Sequence, residues 1–308
     1  MASLSDIRAG GKRALSAALA EIERDGGRAE IAALLDAAHA APRGSVIGLT
    51  GPPGVGKSTL INALIALWRR GGETVGVVAV DPSSRRSGGA LLGDRARMTS
   101  DPADQGVYIR SLAARGRLGG LADLAFASVV LMRALFDRVI VESVGVGQSE
   151  AEIVSVADTV VLCVQPGSGD TLQFMKAGIM EIPAVAVVTK ADLGAAARRA
   201  VADLKVALSL VGDSEWEIPV CAVSATTGEG VTELAETIDR HGQWLEMTGH
   251  RVRHRQAQAS AWVADAVRSA TGEEGLRLVS GELARAASGP FRLQQELRSR
   301  LRVRLAPD

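Results

Sequence analysis

Cysteine, aromatic residues and lysine are all scarce in this chain, and each shortage narrows what it can be. Only two cysteines, Cys163 and Cys221, occur in 308 residues, both inside apolar, strand-like runs. They have no metal-type spacing and cannot make a disulfide framework, so buried thiols in a reducing cytoplasm are expected. The four histidines, His39, His241, His250 and His254, show no ligand pattern and are given no chemistry. Net charge is +0, which removes the electrostatic signature of a nucleic-acid or anionic-membrane partner. No apolar run reaches the roughly 18 residues that span a bilayer. The N-terminal MASLSDIRAGGKR lacks the apolar core and cleavage site of a signal peptide. What is left is an ordinary soluble globular composition, 47% hydrophobic and 23% charged.

The chain is long enough for a central domain with appendages. Residues from Leu4 to Ala41 read as two helices with a break at Gly26-Gly27. From Ser45 onward, short apolar runs alternate with helical stretches: VIGLT, TVGVVAV, RVIVE, TVVLCV, AVAVVTK and IPVCAVS. That rhythm predicts βαβ units, hence an α/β fold with a mainly parallel sheet covered by helices. After Arg240 the pattern is helical, with breaks near Thr271-Gly272 and Gly289-Pro290. Three regions follow: a helical extension over 1–43, the α/β domain over 44–241 and a helical region over 242–308. Two readings of the last region stand. Its arginine-rich helices close the domain as solvated faces. Alternatively it is a dimerisation arm, because Leu276, Leu278, Val279, Leu283, Leu293, Leu297 and Leu301 leave apolar surface to bury. Repeats and low-complexity tracts are absent.

Gly51-Pro52-Pro53-Gly54-Val55-Gly56-Lys57-Ser58 fits G-x-x-x-x-G-K-[ST] between a strand and the helix TLINALIALWRR, the context a phosphate loop requires. Its glycines let backbone N–H groups surround a β-phosphate, and the helix N-terminus that includes Thr59 adds a favourable dipole. Lys57 would bridge β- and γ-phosphate oxygens and Ser58 would bind Mg²⁺. Few lysines occur, yet Lys57, Lys176 and Lys190 all fall in candidate nucleotide loops.

The base follows from two later strand ends. Thr189-Lys190-Ala191-Asp192 fits Asn/Thr-Lys-x-Asp. There the Asp carboxylate accepts from guanine N1–H and the exocyclic amine while the Lys stem covers the base. Adenine leaves that carboxylate unpaired, so GTP is favoured over ATP. Thr189 lacks the amide with which Asn braces the neighbouring loop, and a looser site is expected. Ser224-Ala225-Thr226 matches the third guanine-contact element, whose backbone N–H reaches O6.

Asp81 and Asp94 bracket the loop after TVGVVAV, and with Glu142 they could converge on Mg²⁺, a hard cation suited to a few carboxylates and waters. Taken singly, each of the three has a plainer reading as a turn or helix-capping carboxylate. Glu142 opens Glu142-Ser-Val-Gly145 where a phosphate switch has Asp-x-x-Gly, and its extra methylene suits contact with the metal through a water or orientation of the attacking water. No glutamine directly follows Gly145; Gln148 stands three residues on, which predicts slow unassisted hydrolysis. Gly167-Ser-Gly-Asp170 reads as a loop opening an amphipathic helix, with Asp170 as an ordinary N-cap on the plainer reading.

The phrases GPPGVGKSTLINAL, AVDPSSRRSGGALLGDRARM, YIRSLAARGRLGGLA, VIVESVGVGQSE, PGSGDTLQFMKAGIMEI and TKADL stand in this order. Together they resemble the MeaB/ArgK GTPases, chaperones of adenosylcobalamin-dependent acyl-CoA mutases, a family that includes the human methylmalonic-aciduria type A protein. The resemblance covers roughly residues 40–265. It implies a P-loop NTPase fold of the SIMIBI-type G-domain class, with GTP/GDP and Mg²⁺ as ligands. It implies Lys57, Asp94 and Glu142 as the catalytic set and Ser58, Asp81, Asp94 and Glu142 around the metal. Asp170, Gln173 and Lys176 would belong to a further switch that reports nucleotide state to the mutase. A homodimer through the C-terminal helices is implied, with the mutase and its adenosyltransferase as partners. The protein need not bind cobalamin itself. Two other readings compete: a nickel-insertion GTPase, disfavoured because its metal-carrying Cys/His cluster is missing, and an ArgK-like kinase or transport ATPase, disfavoured by Asp192.

Overall fold

The computed structural model describes residues 2–82, 98, 101, 103–114, 123–143, 153–167, 182–210 and 215–304. All six apolar runs are strands: β1 (Ser45–Thr50), β2 (Val75–Pro82), β4 (Arg138–Glu142), β5 (Thr159–Val164), β6 (Val185–Thr189) and β7 (Val220–Val223). A seventh, β3 (Val107–Ala114), was not legible from the sequence. Every pairing is parallel, in the order β3-β2-β4-β1-β5-β6-β7. Because β3 is an edge strand, VYIRSLAA tolerates Arg110 and Ser111 in mid-run. A neighbouring helix meets two of its polar side chains: Arg110 pairs with Glu23 at 2.6 Å, and the Tyr108 hydroxyl lies 3.0 Å from Ser16 Oγ.

The helices are α1 (Leu4–Asp25), α2 (Ala29–Ala40), α3 (Lys57–Arg70), α4 (Asp123–Arg133), α5 (Ala195–Ser209), α6 (Val231–Met247), α7 (His250–Val279) and α8 (Pro290–Arg304). The expected breaks are present: α1 ends at Gly26, α7 kinks at Gly272 (φ 70°), and α8 starts at Pro290. Ser3 caps α1 in a reciprocal box with Asp6, whose amide donates to Ser3 Oγ at 3.2 Å. Alternate strand residues face opposite ways. Ile47, Leu49, Val77, Ile140, Val161 and Val187 pack against α3 and α6. Val46, Val78, Val139, Val141 and Val160 pack on the other side, in a core shared by α1, α2, α4, α7 and α8.

That shared core corrects the argument for a dimerisation arm. Val279, Leu293, Leu297 and Leu301 are buried within the chain, Leu276 and Leu283 pack against the same core, and Leu278 alone of the set is exposed, at 40%. The N-terminal extension and the C-terminal helices thus form one layer on the sheet, in which most of the apolar residues offered for an arm are already covered, while Val252, Leu278 and Val303 stay exposed.

Two polar contacts pin that layer. Asp36 of α2 accepts from the amides of Phe291 (3.0 Å) and Arg292 (3.2 Å), capping α8 across the fold. Burial pushes its carboxyl above the usual range, although these two amides pull the other way. Arg255 of α7 forks onto Asp158, just before β5, at 2.7 and 2.6 Å; Asp158 also accepts from Val46 N at 2.8 Å, and Arg255 donates to Gly44 O at 3.0 Å. Burial raises the Asp158 carboxyl, but the Arg255 bonds and charge outweigh it and hold it below the usual range.

Asp158→Ala leaves the largely covered Arg255 without its counter-ion and should cost about 3 kcal/mol of stability, read as a lower urea midpoint. An unchanged midpoint would refute this role. A second expectation concerns pH. Burial first, then the charges of Arg133 and Arg251 respectively, push His39 and His241 down to about 4. Their unfolded value is about 6.5, so the unfolded chain takes up protons that the folded chain refuses. Stability should therefore fall as pH drops from about 6.5 toward 5; urea midpoints that stay level from pH 7 to pH 5 would contradict this.

Candidate nucleotide site

The carboxyl ends of the parallel strands bring the site together, as expected of an open α/β sheet. β1 ends at Thr50, the loop runs over Gly51–Gly56, and α3 begins at Lys57. Gly51 has φ 136°, and a Cβ on it would lie 2.2 Å from the Cys163 carbonyl oxygen at the end of β5. Only glycine fits that approach. Gly54 and Gly56 also have positive φ, 76° and 100°. Gly56, at the N-cap of α3, has no side chain with which to cap it, so the first N–H groups of the helix suit an anion. Lys57 is buried and folds back over the loop, donating to Gly51 O at 2.7 Å and Pro52 O at 3.2 Å. Val55 is buried, while Pro53, Gly54 and Thr59 face outward. Beneath the loop, burial pushes the Cys163 thiol up to about 12, so it stays protonated and serves as packing.

Glu142 ends β4, in register with Leu49 of β1 and Ala79 of β2. It is 5% exposed, and Ser58 Oγ donates to its Oε1 at 3.0 Å. The next residue, Ser143, ties this strand end to the loop: its Oγ donates to Thr50 Oγ1 at 3.1 Å and its amide to Leu49 O at 3.2 Å. Asp81 has its backbone at the same edge, two residues past Ala79 in β2. The Asp81 side chain lies outside the described residues. So do Asp94, Gly145, Asp170, Gln173 and Lys176. The donor set that is described, a hydroxyl and a carboxylate at the mouth of a phosphate loop, fits a hard divalent cation such as Mg²⁺.

The base-side residues converge on the other flank. The Thr189 hydroxyl lies 2.8 Å from Val55 O in the phosphate loop and 3.0 Å from Val164 O in β5. It therefore supplies the brace that was expected to be missing, because a hydroxyl reaches the carbonyls an Asn amide would serve. Lys190 follows at φ 55°, donating to Gly54 O at 3.3 Å and to Gln165 Oε1 at 2.5 Å. Asp192 is exposed at the rim. Ser224 is buried in a turn closed by its amide on Glu229 O (3.0 Å) and by Gly228 N on its own carbonyl (2.9 Å), which presents Ala225 and Thr226 beside it. Gln165, Ser143 and Thr50 were not picked out from the sequence: single polar residues at strand ends carry no motif.

Fold and loop together define a P-loop nucleotide-binding protein, with the expected guanine-recognition elements on its rim. Residues 13–275 match the family described as "Methylmalonyl Co-A mutase-associated GTPase MeaB". The chain belongs to that family. A relative from Pyrococcus horikoshii is 42% identical over 262 residues, covering 82% of this chain and 80% of its own length. The mouse protein named "Methylmalonic aciduria type A homolog, mitochondrial" is 39% identical over 222 residues, covering 70% of this chain and 54% of its own length. A solved structure titled "LAO/AO transport system kinase" superposes with a TM-score of 0.70 at 26% identity, covering 97% of this chain and 95% of that one.

Thr189→Val keeps the shape but removes the hydroxyl, and should cost about 1–3 kcal/mol through the loss of its one donated bond, shared between the carbonyls of Val55 and Val164. Thermal unfolding and labelled-GDP titration of the purified variant test this. Unchanged stability and affinity together would show that the hydroxyl is no brace.

Proposed function

We propose that this chain is a GTP-hydrolysing chaperone that gates adenosylcobalamin loading, protection and reactivation of a B12-dependent acyl-CoA mutase, methylmalonyl-CoA mutase or a close relative. The observation that carries the reading is the hydrogen bond from Ser58 of the phosphate loop to Glu142, in a chain whose family is described as mutase-associated GTPases. A plain strand-end acid has no reason to meet the phosphate loop. A switch residue does.

In this reading Lys57 exchanges the carbonyls of Gly51 and Pro52 for β- and γ-phosphate oxygens, and the amides at the start of α3 hold the phosphates. Ser58 and Glu142, with Asp81 and Asp94, hold Mg²⁺, which screens phosphate charge when bound. Glu142 orients the attacking water, Lys190 lies over guanine, and Asp192 accepts its N1–H and exocyclic amine. Basal turnover is slow, on the order of 10⁻³ per second, as for GTPases without a supplied arginine. Asp170, Gln173 and Lys176 pass nucleotide state to the mutase, and the adenosyltransferase is the donor of cofactor. A cytoplasmic homodimer completes the proposal. The two free, buried cysteines suit a reducing compartment, while the dimer rests on the family resemblance alone.

Turnover of GTP by the purified chain, with and without methylmalonyl-CoA mutase, tests both halves. The mutase should raise the basal rate several-fold. Glu142→Ala should bind labelled GDP as before but lose roughly a hundredfold in hydrolysis, together with the response to mutase. A mutase that neither binds in pull-down nor alters the rate would sink the chaperone reading. Near-normal turnover in Glu142→Ala would return Glu142 to an ordinary strand end.

A further inference from the structure

Lys190 is the one non-glycine residue at positive φ among the described residues, at 55°. Such a conformation in a residue with a long side chain persists only when its surroundings fix it, and such residues gather at ligand sites. Two acceptors do the fixing: Gly54 O at 3.3 Å and Gln165 Oε1 at 2.5 Å. The first belongs to the phosphate loop itself. Gln165 is the residue immediately after β5, half-buried, and brings an acceptor from a different strand. An ammonium has three donors and no acceptor, so the amide of Gln165 turns its oxygen, not its nitrogen, toward Lys190.

From this geometry we infer that Gln165 is a positioning residue for guanine-nucleotide binding, acting through Lys190. The inference rests on the reading of Thr189–Asp192 as the base-recognition loop. A lysine stem loses much rotamer freedom when it is laid flat across a base. Held in advance at its ammonium, it has less freedom left to lose when the nucleotide arrives, and affinity rises accordingly.

A double-mutant cycle with labelled GDP and with GTP turnover tests this in the full chain. Gln165→Ala should weaken GDP roughly three- to tenfold, with the loss falling on KM for GTP more than on kcat. Gln165→Glu, which keeps the acceptor, should restore affinity to within about twofold of the parent at moderate salt. In a Lys190→Ala background, Gln165→Ala should add nothing further. Parent-like affinity in Gln165→Ala, or the same loss with Lys190 already removed, would overturn the assignment. Failure of the parent chain to bind GDP at all would overturn the guanine-nucleotide reading beneath it, a different and separately visible result.

Discussion

The site depends on one close approach, where Gly51 passes over the carbonyl of Cys163. β1 and β5 are adjacent, and the phosphate loop leaves β1 across the end of β5. A single added carbon at Gly51 would sit 2.2 Å from that oxygen, so the loop lies this low only because the residue is glycine. Its height decides the rest. At this depth Val55 O comes within reach of the Thr189 hydroxyl, Gly54 O within reach of Lys190, and Ser58 within reach of Glu142. Raised by even one ångström, the loop would forfeit contacts to the ends of both β4 and β6.

Behind the sheet, stability comes from elsewhere. With so few aromatics, their placement is informative: Phe126 of α4, Trp262 of α7 and Phe291 of α8 form a mutual cluster with centroids 4.7–5.8 Å apart. It lies where the domain proper meets the C-terminal helices. Asp36 and Asp158 add directional contacts that a greasy interface lacks, each joining segments far apart in sequence. Buried charge is a poor source of net stability but an effective way of specifying one arrangement. Here the Arg255–Asp158 pair ties α7 to the start of β5, and Asp36 ties α2 to α8.

How much of this could be read in advance differs by level. The six apolar strands were legible because parallel strands buried on both faces are near-continuous apolar runs. β3 was not, since an edge strand facing α1 carries arginine and serine where a central strand carries valine. Motif residues were legible by spacing, and Lys57, Ser58, Glu142, Thr189 and Lys190 do meet around one loop. Periodicity showed that residues 276–301 had apolar faces but not what would cover them. A hydrophobic stripe has no address, and the N-terminal helices that complete its core lie more than two hundred residues away. Thr189 misled for a related reason: a motif names the usual side chain, whereas the structure needs only a donor at the right distance.

The glutamate at the end of β4 then has a physical explanation. Its backbone is fixed in register between Leu49 and Ala79, and Ser143 locks the following turn to Thr50. With the backbone held, reach toward Ser58 is set by side-chain length, and glutamate has one more methylene than aspartate. A hydroxyl carries one proton and two lone pairs. Donating its proton to Glu142 leaves Ser58 with both lone pairs for a cation, and a carboxylate beside that hydroxyl makes the cation more welcome. The bond at 3.0 Å is therefore compatible with metal and nucleotide rather than a competitor to them. It also joins the exit of β4 to the first turn of α3. Ser58 and Glu142 are thus in direct contact, with no residue between them.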